Sequence, residues 1–139
     1  MPPATNSKKE RDVVLLDLGN VVLGIDPRQV FFEWSTRSGL PEADFARKWV
    51  LDNAYKEHER GKLNFENYCR ILNERYDLSM SYHDWEIGWN KLWTKPFAKV
   101  IDLFADLKAN YRLCAFSNTN ATHAKDFKNK YPEVLSQFD

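Results

Sequence analysis

The run Val13-Val14-Leu15-Leu16, which leads directly into Asp17 and breaks at Gly19, constrains this chain more than any other stretch. Two of the four residues are β-branched and none is polar. That is the pattern of a strand covered on both faces, as strands of parallel sheets in α/β proteins are. A carboxylate at the C-terminal end of such a strand lies where open α/β sheets bind their ligands, so Asp17 is the first candidate for chemistry. Asp17 also fits a capping role in the turn that follows.

The elements around this strand read in order. Asn20 to Ile25 is apolar with Gly24 inside it, which suits a turn and a hairpin flap at the strand's exit. Asp26-Pro27 is an N-cap and first-turn pair that opens a helix, Val30, Phe31 and Trp34 give that helix an apolar face, and Gly39 ends it. From Leu40 to about Pro96 the pattern is helical, with no buried strand. Phe45 and Trp49 share a face, Asn64 caps a helix carrying Phe65, Tyr68, Cys69, Leu72 and Tyr76, and Ser81 with Asp84 forms a capping box. Trp85, Trp89 and Trp93 follow at four-residue steps. Such a stripe is the mark of a core face, with a ligand-stacking platform as the alternative.

Phe97, Val100, Ile101, Phe104 and Leu107 predict one further amphipathic helix, and Tyr111 to Phe116 a second apolar strand that ends at Ser117. Thr119 or Asn120 caps a last helix that Pro132 stops. The order is α/β, with a helical insert after the first strand. Residues 1–11, with two prolines and several polar residues, read as a flexible leader; 12–39 and 96–139 form the core, and 40–95 the helical insert.

Twenty basic and twenty acidic residues cancel, and no run of Lys or Arg makes the footprint of a nucleic-acid binder. No apolar run approaches the ~20 residues of a membrane span, and the first residues lack the hydrophobic region of a secretory signal. These features predict a cytoplasmic protein with neither nucleic-acid nor membrane partners. Cys69 and Cys114, far apart and in apolar surroundings, read as free thiols. His83 and His123 have no second ligand at metal-binding spacing and read as non-ligands.

Asp17-Leu18-Gly19-Asn20-Val21 resembles motif I of the haloacid dehalogenase-like (HAD) hydrolases. The same wording is similar to that of the bacterial glucose-1-phosphate phosphatase branch, and the likeness extends through His58-Glu59-Arg60-Gly61 and Ser117-Asn118-Thr119-Asn120. The resemblance implies a partial HAD-like Rossmannoid core of parallel strands and flanking helices, with the insert as a helical C1-type cap. It implies a magnesium-dependent phosphatase of small phosphorylated metabolites, sugar phosphates first, with Asp17 as the nucleophile that forms an aspartyl-phosphate. Magnesium would be held by the Asp17 side chain and the Gly19 carbonyl, and phosphate by Ser117 and Asn118. The family's second aspartate, its general acid and base, falls on Gly19. Asp26 and His58 are the nearby residues that could stand in for it, although each also fits a structural part, Asp26 as an N-cap and His58 in packing.

The family's third and fourth motifs, a phosphate-holding Lys or Arg and a magnesium-holding acidic pair, follow motif II, whereas Gln137-Phe138-Asp139 stands about where a third core strand would begin. Two parallel strands alone leave two unpaired edges. The expectation is therefore a fragment of a longer product, or edges covered by another copy (self-association) or by a partner that supplies the missing strands, or a compact but catalytically broken domain; the chain by itself is expected to be weak or inactive. The rival function is a truncated HAD fold that binds a ligand or partner without turnover.

Overall fold

The structure is a computed structural model, and residues 12–139 are described; the leader expected over 1–11 lies outside them. Strand β1 (Val13–Leu16) pairs in parallel with β4 (Arg112–Ala115), in the register Val13 to Arg112 through Leu16 to Ala115. Val14 and Leu16 face a cluster built from Leu18, Val22, Leu23, Trp93, Phe104, Leu113, Phe127 and Val134. Val13 and Leu15, on the other face, are 53% and 60% exposed. The expectation of a strand buried on both faces is thus corrected. The apolar contacts of the neighbouring helices gather on one side, and no element among the described residues covers the other. At Leu113 the outer edge of β4 is taken up by Asp139, whose N–H donates to the Leu113 carbonyl (2.7 Å) and whose Oδ2 accepts from the Leu113 N–H (2.9 Å).

Beyond Asp17 the chain folds back tightly. The Leu18 carbonyl accepts from the N–H groups of Val22 and Leu23, both at 2.9 Å, and Asn20 turns the corner at φ 56°. This loop delivers β2 (Leu23–Ile25), which pairs antiparallel with β3 (Trp93–Pro96). Two expectations change here. The flap's partner is not local, and a strand does exist before Pro96. Spacing by four hid it, because a step of four residues is a multiple of the strand period of two as well as close to one helical turn.

Helix α1 (Pro27–Ser38) starts at Asp26, whose Oδ1 accepts from the Arg28 N–H at 3.1 Å, and ends at Gly39, in the left-handed region at φ 78°. Helices α2 (Glu42–Lys48), α3 (Asn53–Glu59), α4 (Phe65–Tyr76) and α5 (Tyr82–Asn90) follow. Asn64 caps α4, and the Ser81 hydroxyl accepts from the Asp84 N–H while donating to the Asp84 carboxylate at 2.7 Å. Val30 and Trp34 of α1 are buried with Phe45, Tyr68, Leu72, Trp85 and Trp89, so α1, grouped with the core in the sequence reading, packs with the helical unit. Trp34 is central: its indole meets Trp85 edge-on at 4.9 Å, and its Nε1 donates to the Trp85 carbonyl at 3.0 Å. Gly88 makes the room, since a Cβ there would lie 2.1 Å from Trp34 Cδ1.

The single helix expected over 97–107 is two, α6 (Ala98–Ile101) and α7 (Phe104–Asn110). The break is local: the Leu103 N–H bonds back to Val100, three residues away, and tightens the turn. Helix α8 (Ala121–Lys130) is capped by Asn120, and Pro132 opens α9 (Pro132–Leu135). No helix among the described residues is long and apolar enough to cross a membrane. Cys69 and Cys114 are free thiols, and burial pushes the Cys69 pKa up to about 12.

Candidate active site

Parallel pairing of β1 with β4 brings their C-terminal ends side by side, with the Phe116 N–H donating to the Leu16 carbonyl at 2.8 Å. Asp17 therefore emerges next to the Ser117–Asn118 turn. Asp17, Gly19, Ser117, Asn118 and Thr119 border one cavity of about 430 Å³, roofed by α1, α3 and α5 of the helical unit. The Asp17 side chain is solvent-exposed at its rim. Its Oδ1 accepts from the Leu18 N–H at 2.7 Å, which orients the carboxylate and leaves Oδ2 without a partner among the described residues. The capping role and the exposed oxygen thus coexist in one side chain.

Across the turn, Thr119 Oγ1 is buried with no partner among the described residues. An orphaned hydroxyl of this kind calls for a ligand or a water. Asn120, 5% exposed, holds the start of α8 by accepting from the His123 N–H at 2.9 Å. The turn therefore sets side-chain hydroxyl and amide groups beside the free N–H groups of a helix start, a combination that suits an anion.

Gly19 sits against Trp93 and Ile25, and a Cβ there would meet Trp93 Cη2 at 3.6 Å and Ile25 Cγ2 at 3.8 Å, ordinary contacts. The indole of Trp93 thus lies beside the position that carries an aspartate in the motif. Neither stand-in acid reaches the cavity wall. Asp26 is clasped by Arg28 at 3.0 and 3.1 Å, which holds its carboxyl below the usual range. His58 is buried in the helical unit, with Nδ1 3.0 Å from the Leu63 carbonyl and its ring stacked on Tyr68 at 5.1 Å.

Two cavity residues escaped the sequence reading. Glu59, at the end of α3, borders the cavity, and its Oε1 accepts from Asn120 Nδ2 at 2.8 Å, joining the helical unit to the start of α8. His123, read as a non-ligand, also borders the cavity; its ring stacks on Trp89 at 4.9 Å, and Nδ1 lies 3.3 Å from Asn90 Oδ1. Burial, with His58 and Lys130 adding to it, lowers the His123 pKa to about 3, so the imidazole is neutral. Glu59 stands within the His58-Glu59-Arg60-Gly61 stretch that carries the resemblance, where no site role was assigned to it, and His123 lies one turn into the helix that follows the Ser117-Asn118 turn. Trp89 and Trp93 are each buried in a core cluster, as the core reading of the stripe expects, and each also borders the cavity.

Among the described residues no three His, Cys, Asp or Glu side chains are grouped to hold a metal. Magnesium, however, is commonly held by one or two carboxylates, with water and phosphate completing its octahedron. Asp17 and Gly19, the two residues expected to hold magnesium, both border the cavity.

No family model matches the sequence. Among solved structures the chain is similar to the HAD family enzyme BT-2542 of Bacteroides thetaiotaomicron. In that enzyme's complex with magnesium and inorganic phosphate the TM-score is 0.72 at 21% identity, over 86% of this chain and 59% of that one. In its magnesium complex the TM-score is 0.76 at 22% identity, over 95% and 66%. A predicted HAD-like family hydrolase from Porphyromonas gingivalis gives 0.61 at 20% identity, over 81% of this chain and 53% of that one. The chain thus spans between 53% and 66% of these proteins. Its parallel strands, flanking helices and helical insert make this chain HAD-like in fold.

Proposed function

We propose that this chain carries the nucleophile and phosphate-binding residues of a magnesium-dependent phosphatase acting on small phosphorylated metabolites. One observation carries the reading: the Asp17 carboxylate and the Ser117-Asn118 turn, 100 residues apart in the chain, border the same roofed cavity at the ends of two paired parallel strands. The Asp17 oxygen attacks phosphorus, the bond from phosphorus to the ester oxygen breaks, and the ester oxygen leaves as an alkoxide that takes its proton from solvent water. Water then hydrolyses the resulting aspartyl-phosphate, releasing phosphate and restoring the carboxylate. Ser117 and Asn118 bind the phosphoryl oxygens and keep phosphorus in line with Asp17. The Asp17 carboxylate and the Gly19 carbonyl would hold magnesium, which would supply neutralisation of phosphoryl charge.

Gly19 offers no acid to the departing alcohol, and a positioned acid is typically worth about 10² to 10⁴ in rate. Good leaving groups, such as the anomeric oxygen of a sugar 1-phosphate, need it least, which favours sugar phosphates. The magnesium and phosphate bound by BT-2542 agree with this reading. We place the protein in the cytoplasm, in keeping with its two free thiols.

The test is magnesium-dependent hydrolysis of an aryl phosphate by the chain and by its Asp17→Asn variant, with vanadate binding read from tryptophan fluorescence. The expected result is magnesium-dependent vanadate binding, weakened at least about tenfold in the variant, and no hydrolysis by the variant. Hydrolysis that survives Asp17→Asn, or vanadate affinity unchanged by it, would overturn the assignment.

A further inference from the structure

Hydrolysis of the aspartyl-phosphate needs a proton acceptor. The attacking water must lose a proton as its oxygen bonds to phosphorus, and Gly19 has no side chain to take it. Among the described residues that border the cavity, Asp17, Tyr55, Glu59 and His123 are the titratable ones. Asp17 carries the phosphoryl group at this stage. Burial and the Glu59 carboxylate push the Tyr55 pKa up, so the phenol keeps its proton. A proton taken by His123 would create an imidazolium that burial disfavours. Glu59 remains.

Its setting suits the task. Asn120 is 5% exposed and its Oδ1 accepts from the His123 N–H at 2.9 Å, so its Nδ2 is turned to donate to Glu59 Oε1 at 2.8 Å. That bond holds Glu59 beside the Ser117-Asn118-Thr119 turn, and Oε2 has no partner among the described residues. Glu59 comes from α3, in the roof, whereas Asp17 follows β1 on the floor. In-line displacement of Asp17 brings the water to phosphorus from the side opposite that carboxylate, where the ester oxygen departed. A carboxylate on the roof serves that side.

We infer that Glu59 is a further catalytic residue, the general base that activates water against the aspartyl-phosphate. Oε2 takes a proton from water, the water oxygen bonds to phosphorus, and the bond from phosphorus to Asp17 breaks with its electron pair returning to the Asp17 carboxylate. Inorganic phosphate leaves, and Glu59 gives its proton to solvent. The inference rests on the reading of Asp17 as phosphoryl acceptor and adds the group that completes its second step.

Hydrolysis of para-nitrophenyl phosphate with magnesium present isolates that step, because the phenolate leaves without a proton and the first step makes no demand on Glu59. Glu59→Gln keeps an acceptor for Asn120 but cannot take a proton. The expected result in this variant is a rapid burst of nitrophenolate, then turnover slowed about 10²-fold or more. Chains quenched in acid should carry one phosphoryl group by mass, and adding Asp17→Asn should abolish that adduct. An adduct that decays as fast in Glu59→Gln as in the unaltered chain overturns the base and leaves Asp17 as phosphoryl acceptor. Equal slowing of burst and turnover does the same, since it marks a structural role. Absence of any adduct that depends on Asp17 removes the phosphatase reading and the base with it.

Discussion

Replacing Gly88 by alanine should destabilise this protein, although helix propensity alone argues the opposite. Gly88 lies inside α5, where alanine is favoured over glycine by about 1 kcal/mol. Its missing side chain is the space that Trp34 fills. A Cβ built there lies 2.1 Å from Trp34 Cδ1 and 2.3 Å from Nε1, so the indole must move by about 1 Å to reach the closest tolerated contact. Trp34 is fully buried among Phe45, Trp85 and Trp89, and its Nε1 donates to the Trp85 carbonyl. Moving it costs about 1–3 kcal/mol in overpacking and about 1 kcal/mol in the strained hydrogen bond. These terms outweigh the propensity gain and leave a net loss of about 1–3 kcal/mol. In a domain of this size that corresponds to a fall in Tm of roughly 4–12 °C. Urea and thermal unfolding followed by circular dichroism measure it. A double-mutant cycle with Trp34→Phe adds a sharper check, because in that background the alanine should cost much less. A Gly88→Ala protein as stable as the original, or the same cost with and without the indole, would refute the packing argument.

Asn73 ties α4 to the segment before α5: Oδ1 accepts from the Met80 N–H and from Trp85 Nε1, and Nδ2 donates to the Met80 carbonyl, each at 3.0 Å. Asn73→Ala strands the buried indole N–H and should cost about 2–4 kcal/mol in urea unfolding; a loss under about 0.5 kcal/mol would show that the network contributes nothing. His123 sets a pH dependence. Its folded pKa, about 3, lies below the ordinary 6.5, so as pH falls the unfolded chain binds the proton first. Stability should therefore drop from about pH 6.5 towards pH 3, by up to about 1.4 kcal/mol per pH unit. The urea midpoint between pH 7 and pH 5 should fall less in His123→Gln than in the original, and equal slopes would contradict the buried neutral imidazole.

What the sequence made legible was mostly local chemistry. Asp26-Pro27 with Gly39, Asn64, and Ser81 with Asp84 act as the caps their residue types suggest, because a cap is decided within three or four residues. Asp17 and Ser117-Asn118 were linked in the sequence through their resemblance to the first two motifs of the HAD hydrolases, each after an apolar run. The partner of the Leu23–Ile25 strand was not legible, since nothing local in Trp93-Thr94-Lys95 announces a contact with residues 70 positions earlier. Helix α3 was missed although its cap is present: Asp52 accepts from the Tyr55 N–H at 2.9 Å and pairs with Arg75. Without that helix no face could be assigned to Glu59. The exposure of Val13 and Leu15 is a property of the neighbours, and an apolar run specifies only that burial would be favourable.

The chain passes between the sheet unit and the helical unit twice, outward through Leu23–Ile25 and back through Trp93–Pro96, and these two passages are hydrogen-bonded to each other as β2 and β3. The Asp26 N–H to the Leu92 carbonyl and the Phe97 N–H to the Val22 carbonyl, both at 2.9 Å, extend the pairing at its two ends. Mechanically this is a strap rather than two strings: its strands cannot slide or bend independently without breaking their ladder. A swing of the helical roof is carried by flexing this ribbon as one piece. Trp93 is part of the ribbon and lies against Gly19, two residues from Asp17. Movement of the roof and the shape of the floor beside the carboxylate are thereby geared together.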